Sequence, residues 1–313
     1  PIFVDYEPTE LVVTARCGTP LADLEALLES HGQWLAFEPP RFGSGNAGAT
    51  VGGMVAAGLS GPGRMAAGAV RDFVLGARLL DGQGRDLALG GRVMKNVAGY
   101  DVSRLLAGSL GILGVIAEVS LKTLPRPVEE VTLRLSMSQA AAIEAVNRWS
   151  ARLPVSASAW HEGLLSVRLS GASAAVRAAR ETIGGEALAE ARAWWDGLRN
   201  QSHPFFAARP LWRLSLPATT SVDALAGLPA VGLVEWNGAQ RWIAGNVEAS
   251  AIRATAGRVG GHATLFRSAQ DDPARNAGVF QPLAPEIERL HRALKREFDP
   301  AGILNPGRLV RGL

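Results

Sequence analysis

The sequence has little cysteine and no clustered metal ligands. Cys17 is the one cysteine in 313 residues, so the chain cannot by itself form an intramolecular disulfide, a cysteine-based zinc site or an iron–sulfur cluster. The five histidines lie far apart along the sequence, and none pairs with another at the sequence spacing of metal ligands. We therefore predict no metal site, and any redox chemistry of the chain requires an organic cofactor.

Charge of one sign and long apolar runs are also scarce. The 32 basic and 29 acidic residues give a formal net charge of +3 and form no block of like charges, which argues against nucleic-acid binding. No stretch of about 18 uncharged apolar residues predicts a membrane span. The first residues lack the basic and apolar regions of a signal peptide. We expect a cytoplasmic protein.

Hydrophobic residues make up 47% of the sequence, enough for a packed core, and they follow two patterns. Residues 1–125 are glycine-rich and contain short apolar runs, and the prolines around Arg126 mark a boundary. From 126 to 284, strands alternate with helices, which predicts an antiparallel sheet with helices on one face, as in ferredoxin-like α+β domains. A predicted helix, Pro285–Phe298, opens the C-terminal segment 285–313.

The most informative stretch is the glycine-rich segment 43–63. Small residues let the backbone approach a ligand closely, and consecutive N–H groups can form a concave site for an anion such as a pyrophosphate. The spacing differs from the G-x-G-x-x-G of Rossmann domains and from the P-loop of nucleotide triphosphatases. The residues alone leave two interpretations open: a pyrophosphate-binding loop, or tight turns packed against a sheet without a ligand.

Four motifs and a C-terminal signature follow one another along the chain. They are 49–53 (Ala-Thr-x-Gly-Gly), 71–76 (Arg-Asp-x-Val-Leu-Gly), 99–101 (Gly-Tyr-Asp), 108–116 (Gly-Ser-x-Gly-x-Leu-Gly-Val-Ile) and 298–307 (Phe-Asp-Pro-x-x-Ile-Leu-Asn-Pro-Gly). This order resembles flavoproteins of the vanillyl-alcohol-oxidase and p-cresol-methylhydroxylase (PCMH) family. The resemblance implies an α+β fold with a PCMH-type FAD-binding domain (1–125), an α+β cap domain (126–284) and a C-terminal segment (285–313) that returns to the FAD domain.

Within that family, residues 93–104 and 260–267 resemble the FAD-binding E subunits of glycolate oxidases. The resemblance implies non-covalently bound FAD and the oxidation of a small 2-hydroxy acid, glycolate to glyoxylate. It also implies a complex with a second flavin subunit and an iron–sulfur subunit, through which the electrons leave. Attachment to the inner membrane through these partners is left open. The alternatives are a cofactor-free interaction subunit that retains the fold, and a free-standing oxidase of another hydroxy acid or an alcohol.

The resemblance also assigns candidate site residues. The cofactor-binding candidates are Thr50, Gly52, Gly53, Ala57, Gly58, Gly61, Gly111, Gly114, Ile116 and Asn305. The segment 45–61 and the loop that ends at residue 114 are expected to wrap a diphosphate-linked dinucleotide beside a mixed sheet. His262 is the candidate catalytic base, and the alternative for it is a hydrogen-bonded histidine at a strand end.

Two features of the family pattern are missing from the sequence. The arginine- and glycine-containing loop that grips the pyrophosphate from the other side has no counterpart before Leu11, so we expect this chain to bind FAD weakly or not at all. The metal and substrate motif His-x-Gly-Asp-Gly-Asn-x-His is also absent. Trp194 and Trp195 are expected either to line a pocket or a partner surface, or to pack in the core.

Overall fold

The structure is a computed structural model that describes residues 3–43, 48–91, 101–310 and 312. The chain forms two compact units. The first unit contains Pro1–Gly61, Ala67–Arg126 and Leu283–Leu313, and the second contains Pro62–Ala66 and Pro127–Pro282. The limits predicted for the functional domains, after residues 125 and 284, stay predictions.

Helices and strands are interspersed along the whole chain. The helices are α1 (Leu21–Ser30), α2 (Val51–Ala57), α3 (Arg64–Ala67), α4 (Val70–Phe73), α5 (Gln139–Ser150), α6 (Ser173–Ile183), α7 (Ala191–Arg199), α8 (Ala249–Arg258) and α9 (Pro285–Phe298). The strands are β1 (Phe3–Glu7), β2 (Val12–Arg16), β3 (Gln33–Trp34), β4 (Val74–Leu80), β5 (Asp86–Gly90), β6 (Val115–Lys122), β7 (Leu124–Pro125), β8 (Glu129–Ser136), β9 (Val155–His161), β10 (Leu164–Gly171), β11 (Glu186–Ala187), β12 (Leu211–Ser215), β13 (Leu233–Glu235), β14 (Gln240–Ala244) and β15 (His262–Arg267). Short 3₁₀ helices include Pro8–Glu10, Val102–Leu106, Pro204–Ala207, Asp223–Leu225, Trp236–Gly238 and Pro273–Ala277.

The mixture of antiparallel sheets and helices confirms the α+β fold class. None of the helices in the described part of the chain is long and apolar enough to cross a membrane.

The first unit is built on a five-stranded sheet in the order β1-β2-β6-β4-β5. Each neighbouring pair of these described strands is antiparallel, so the expectation of a mixed sheet is wrong. The tight turn between β4 and β5 explains why these two strands are antiparallel. Asp81 accepts hydrogen bonds from the N–H groups of Gln83 and Arg85, and this side-chain cap reverses the chain within a few residues.

One helix face closes the core of the first unit. Leu21, Leu24 and Leu28 of α1 follow the three- and four-residue spacing of an amphipathic helix, and all three are fully buried. They pack in one cluster with Val13 of β2 and with Val55 of α2. The helix α2 is therefore part of the core, although the sequence predicted only a glycine-rich loop there.

The second unit is built on an eight-stranded sheet in the order β11-β8-β10-β9-β13-β14-β12-β15, and all of its pairs are antiparallel. Helices α5 and α6 pack against one face through Val146 and Val176, and α8 covers the same face through Ile252. The helix α7 lies on the opposite face, where Trp195 and Leu198 pack against β9, β13 and β14. The expectation that all helices lie on one face is therefore wrong for α7. Its two buried apolar residues, three positions apart, require a partner surface that the sheet provides.

A buried ion pair fixes α9 to the rest of the first unit. Lys295 Nζ lies 2.6 Å from Asp299 Oδ2, and both side chains are almost inaccessible. The Lys295 ammonium also donates to the carbonyl oxygens of Ile112 at 2.8 Å and Leu304 at 2.6 Å. Burial opposes ionisation of Asp299, but hydrogen bonds from Lys295 and from the N–H groups of Leu304 and Ile303 outweigh it and lower the pKa of that carboxyl. One charge pair thus joins α9, the loop before β6 and the C-terminal tail.

Replacing Lys295 by methionine should destabilise the first unit by about 3–5 kcal/mol, because the Asp299 carboxylate would stay buried without its cation. The measurement is urea unfolding followed by circular dichroism near neutral pH. The matched control is Arg289→Met, which removes a cation whose ion pair with Glu286 is exposed on the same helix. That variant should unfold at nearly the wild-type urea concentration. Equal effects of the two substitutions would contradict the prediction.

Acid should remove the contribution of Asp299. Because its folded pKa lies below the usual value of 3.8, its stabilising effect is complete above that value and is lost as pH falls through the folded pKa. The free energy of unfolding of the wild type should therefore fall between about pH 5 and pH 2 more steeply than that of Asp299→Asn. Parallel curves for the two proteins would show that this carboxyl does not carry the effect.

Candidate functional site

The structure brings together the two glycine-containing segments that were predicted to hold a dinucleotide. The N–H of Gly108 donates to the carbonyl of Val55 at 3.0 Å, and the N–H of Leu110 donates to that of Ala56 at 2.9 Å. A Cβ added to Gly58 would lie 2.7 Å from the N and Cα of Gly108. Only glycine permits so close an approach, so the end of α2 and the loop after Leu106 form one continuous surface.

The loop beside α2 is held in left-handed turns. Gly108, Leu110 and Gly111 have φ values of 82°, 52° and 73°. A Cβ added to Gly108 would meet only Gly58 Cα at 4.0 Å, so this position is open on its outer side. Gly108 and Gly111, together with Ala56 and Ala57, are half-buried and carry no bulky side chain.

The two adjacent glycines of α2 have different roles. A Cβ on Gly52 would lie 2.5 Å from Cys17 Cβ, so glycine is required there for packing. Gly53 is exposed, and its added Cβ would meet only Thr50 Oγ1 at 3.2 Å. A glycine inside a helix costs about 1 kcal/mol relative to alanine. Packing explains Gly52, whereas at Gly53 the missing side chain leaves room above the helix surface.

The first N–H groups of α2 already have partners. Val51 N donates to Thr19 O and Gly52 N to Cys17 O, both at 2.9 Å. Gly53 N donates to Thr50 Oγ1 at 3.1 Å, so this threonine caps its own helix. These three N–H groups are thus already paired within the chain, and the interpretation of the segment 43–63 as an anion-binding loop stays a prediction. Contact between a ligand and Thr50, Gly52 or Gly53 stays a prediction. Such a contact would be van der Waals packing against the backbone, because these N–H groups already have partners.

The C-terminal tail supports the same loop. Asn305 Nδ2 donates to the carbonyl of Leu110 at 2.7 Å. A Cβ on Gly111 would lie 2.8 Å from that nitrogen, so glycine makes room for the amide. Lys295 holds the neighbouring carbonyl of Ile112. The predicted residues Gly111 and Asn305 are thus in contact, across nearly two hundred positions of sequence.

The remaining predicted residues of the first unit lie around this surface. The N–H of Gly61 donates to Phe37 O at 2.9 Å. A Cβ on Gly114 would lie 2.6 Å from Leu79 Cδ1, which makes Gly114 a packing position. Ile116 is paired with Leu79 across β6 and β4 and packs against the core. Their contact with a cofactor stays a prediction.

The predicted residue His262 lies in the second unit, at the start of β15. It is paired with Ser215 of β12, so it shares a sheet face with Arg213, two residues earlier on that strand. His262 keeps contact with solvent. Partial burial of the ring, and then the positive charges of Arg213 and Arg64, lower its pKa below the usual value of 6.5. The imidazole is therefore neutral at physiological pH and can accept a proton.

Two arginines of the second unit were missed by the sequence analysis. Burial and the charge of Arg64 lower the pKa of Arg213 to about 10, against the opposing effect of Glu235. Arg213 is thus still charged at neutral pH, and its guanidinium carbon lies 5.1 Å from the ring centroid of Phe266. Arg64 lies 4.3 Å from the ring centroid of Trp236. Arginine is common at protein surfaces, so nothing in the sequence alone singled out this cluster.

Some predicted motifs cannot be located. Residues 44–47 and 92–100 lie outside the described part of the chain, and with them most of the start of the glycine-rich segment, most of the segment 93–104 and two residues of the Gly-Tyr-Asp motif. Among the described residues, no group of three or more histidines, cysteines or carboxylates is arranged to hold a metal ion.

The surface made by α2 and the loop 107–111 suits the backbone-lined part of a dinucleotide site. Its open glycines, Gly53 and Gly108, allow a ligand within van der Waals contact of the backbone. The packing glycines keep the two segments together. The residues present therefore fit FAD, because the glycines let it lie close to the backbone. The first N–H groups of α2 do not contribute, since they already donate to other atoms of the chain.

Comparison with known proteins identifies relatives of this chain. Residues 3–101 match the family profile described as an FAD binding domain. The chain is 47% identical over 313 residues to glycolate oxidase subunit GlcE of Escherichia coli (strain K12), covering 99% of this chain and 85% of that protein. It is also 32% identical over 131 residues to glycolate oxidase subunit GlcD of Bacillus subtilis (strain 168), covering 42% of this chain and 27% of that protein.

A solved structure agrees with the fold. Alkyldihydroxyacetonephosphate synthase superimposes with a TM-score of 0.66 over 98% of this chain and 66% of the synthase, at 17% sequence identity. At that identity the likeness shows the fold alone. The long, close match to GlcE and the FAD-binding profile show more: the chain belongs to the family of FAD-binding glycolate oxidase subunits that includes GlcE.

Proposed function

We propose that this chain holds FAD in the first unit, as one flavin subunit of a complex that oxidises glycolate to glyoxylate. The observation that carries the proposal is the direct backbone contact between α2 and the loop 107–111, which builds a surface of small residues at the predicted positions. Bound FAD would supply a two-electron acceptor for the hydride from the carbon that bears the hydroxyl group. The residues of this chain orient the reactants and receive the hydroxyl proton.

The electrons must then leave through partner subunits. With one cysteine, the chain has no ligands for an iron–sulfur cluster of its own. We propose that it assembles with a second flavin subunit, of the kind represented by GlcD, and with an iron–sulfur subunit. The family relationship to GlcE supports this arrangement.

The second unit supplies groups that suit a 2-hydroxy acid. We propose that Arg213 binds the carboxylate, because a guanidinium remains charged in a partly buried site and matches carboxylate geometry. We propose His262 as the acceptor of the hydroxyl proton, since burial and then nearby positive charge lower its pKa and favour the neutral imidazole. Arg64 contributes to this positive potential.

A side chain at Gly53 should block FAD binding. Gly53→Leu fills the open space above α2, and we expect it to weaken FAD binding by about ten-fold or more, which corresponds to about 1.4 kcal/mol per factor of ten. The measurement is titration of the full chain with FAD, followed by quenching of flavin fluorescence. Ala22→Leu, at an exposed position of α1, is the matched control and should bind like the wild type.

The same titration separates the main alternative from the proposal. A cofactor-free interaction subunit is favoured by the internal partners of the first α2 N–H groups. In that case titration of the isolated wild-type chain and of both isolated variants would show no saturable FAD binding. Saturable binding that is lost in Gly53→Leu supports the flavin-holding function.

Removal of the Arg213 charge should raise the pKa of His262, because a positive neighbour disfavours protonation of the imidazole. In Arg213→Met, the His262 resonance should titrate at higher pH in NMR spectra, and the KM of the assembled complex for glycolate should rise. Arg177→Met, on the exposed side of α6, is the control. An unchanged His262 titration would contradict the assigned electrostatics, and an unchanged KM would contradict carboxylate binding by Arg213.

A further inference from the structure

A cavity of about 490 Å³ lies within the second unit and has no role in the proposed function. We call it the aromatic cavity. Its walls come from β8, β9, β10, α7 and the 3₁₀ helix that follows α7, and they include Arg134, His161, Ser166, Trp194, His203 and Phe205. A volume of this size falls within the range of about 300–1,000 Å³ that is typical of small-molecule sites.

Three polar groups of this cavity are buried and have no hydrogen-bond partner among the described residues. They are Arg134 Nε, Ser166 Oγ and Trp194 Nε1. Ser166 is 1% exposed, so water in the bulk does not satisfy its hydroxyl. An unsatisfied buried polar group costs about 1–3 kcal/mol, and three of them at one cavity call for a ligand that accepts hydrogen bonds.

The neighbouring residue Trp195 is also buried, yet its indole N–H has a hydrogen-bond partner. Trp195 Nε1, on the other side of α7, donates to Thr132 Oγ1 at 2.8 Å. Trp194, one residue earlier, instead lines the cavity, and the guanidinium carbon of Arg134 lies 5.2 Å from its ring centroid. The sheet register places Arg134 directly opposite Ser166. Donors from a helix and two strands thus converge on the same space.

The histidines of the cavity add a flat wall and one further donor. His203 Nδ1 accepts from Phe205 N at 3.3 Å, so the neutral ring carries its proton on Nε2. Burial, together with the charge of His161, lowers the pKa of His203, and the ring is neutral at physiological pH. The rings of His161 and Trp194 lie 5.1 and 5.2 Å from that of His203, both edge to face.

We propose that the aromatic cavity binds a small organic carboxylate with a flat apolar body. The carboxylate would accept hydrogen bonds from Arg134, Ser166 and Trp194, and the flat body would pack against the rings of His203 and Phe205. Glu162 also lines the cavity, but its side chain is 83% exposed, so water screens its charge. A two-carbon acid such as glycolate would leave most of the volume empty, so the ligand is a larger acid.

The test uses benzoate as the probe and benzamide as its neutral counterpart of the same shape. Benzoate is titrated into the full chain while indole N–H signals are followed by NMR and affinity is measured by calorimetry. Benzoate should bind at millimolar or lower concentration and shift the Trp194 signal more than the Trp195 signal. Benzamide should bind about ten-fold more weakly or not at all, since hydrogen bonds to a charged acceptor are the stronger ones.

Two variants locate the site. Arg134→Met should weaken benzoate binding by about ten-fold or more, and Ser166→Ala by about three- to five-fold. Ser166→Ala also removes an unpaired buried hydroxyl, so it should fold at least as well as the wild type, as checked by circular dichroism. Arg148→Met is the control for lost charge, because Arg148 is exposed on α5 in an ion pair with Glu144.

The possible results divide clearly. Preferential benzoate binding that is weakened by Arg134→Met and by Ser166→Ala, but not by Arg148→Met, supports the proposal. Absence of benzoate binding up to ten-millimolar concentration overturns it. Equal binding of benzoate and benzamide, or benzoate binding that survives both cavity substitutions, also overturns it. None of these readouts depends on FAD binding or glycolate oxidation, so failure of this proposal is distinguishable from failure of the proposed function.

Discussion

The buried Lys295 ammonium joins three segments of the first unit that are distant in sequence. It donates to Asp299 in the next turn, to Ile112 before β6 and to Leu304 in the tail. A charge in this environment is tolerated only because every donor has an oxygen partner and the carboxylate next to it is itself hydrogen-bonded. Through Ile112, Lys295 thereby fixes the loop that contacts α2. Without Lys295, the loop 107–111 would lose this support, and it is one of the two segments that form the candidate flavin surface.

The glycines of the first unit divide into two physical classes. Gly52, Gly58, Gly111 and Gly114 allow other parts of the chain to come closer than a Cβ would permit. At Gly53 and Gly108 an added Cβ would instead meet one atom each, Thr50 Oγ1 at 3.2 Å and Gly58 Cα at 4.0 Å. The first class explains why the fold needs these residues even without a ligand, and the second leaves room for one. The packing role of the first class agrees with tight turns packed against a sheet, and ligand binding by the glycine-rich segment stays a prediction.

The second unit has two groups of polar side chains at different places on its sheet. Near β12 and β15, burial and then the positive charges of Arg213 and Arg64 lower the pKa of His262. Near β8 and β10, unpaired donors surround a cavity with aromatic walls. Both sites lie on the sheet face that α7 covers only in part, because α5, α6 and α8 pack on the other face. An antiparallel sheet with one incompletely covered face can therefore offer two polar sites on one rigid support.

Local patterns in the sequence were sufficient for many elements. The helix Pro285–Phe298, predicted from the sequence, has the same bounds in the structure. The helix α2 was missed because two glycines lower its intrinsic propensity, and burial of Val51, Met54 and Val55 compensates for that deficit only in the folded chain. Short strands such as β11 depend on their neighbours in the sheet and carry too few residues for a pattern of their own.

By itself, the sequence determined the α+β class, the need for a borrowed redox cofactor and the family, because composition and ordered motifs are properties of the chain alone. Only the tertiary structure decided which glycines pack against other segments, and that the first N–H groups of α2 donate to Thr19, Cys17 and the Thr50 side chain. It alone placed Arg213 beside His262 and gathered the unpaired donors of Arg134, Ser166 and Trp194. These are relations between residues far apart along the chain. They arise from packing and desolvation, which exist only once the chain has folded.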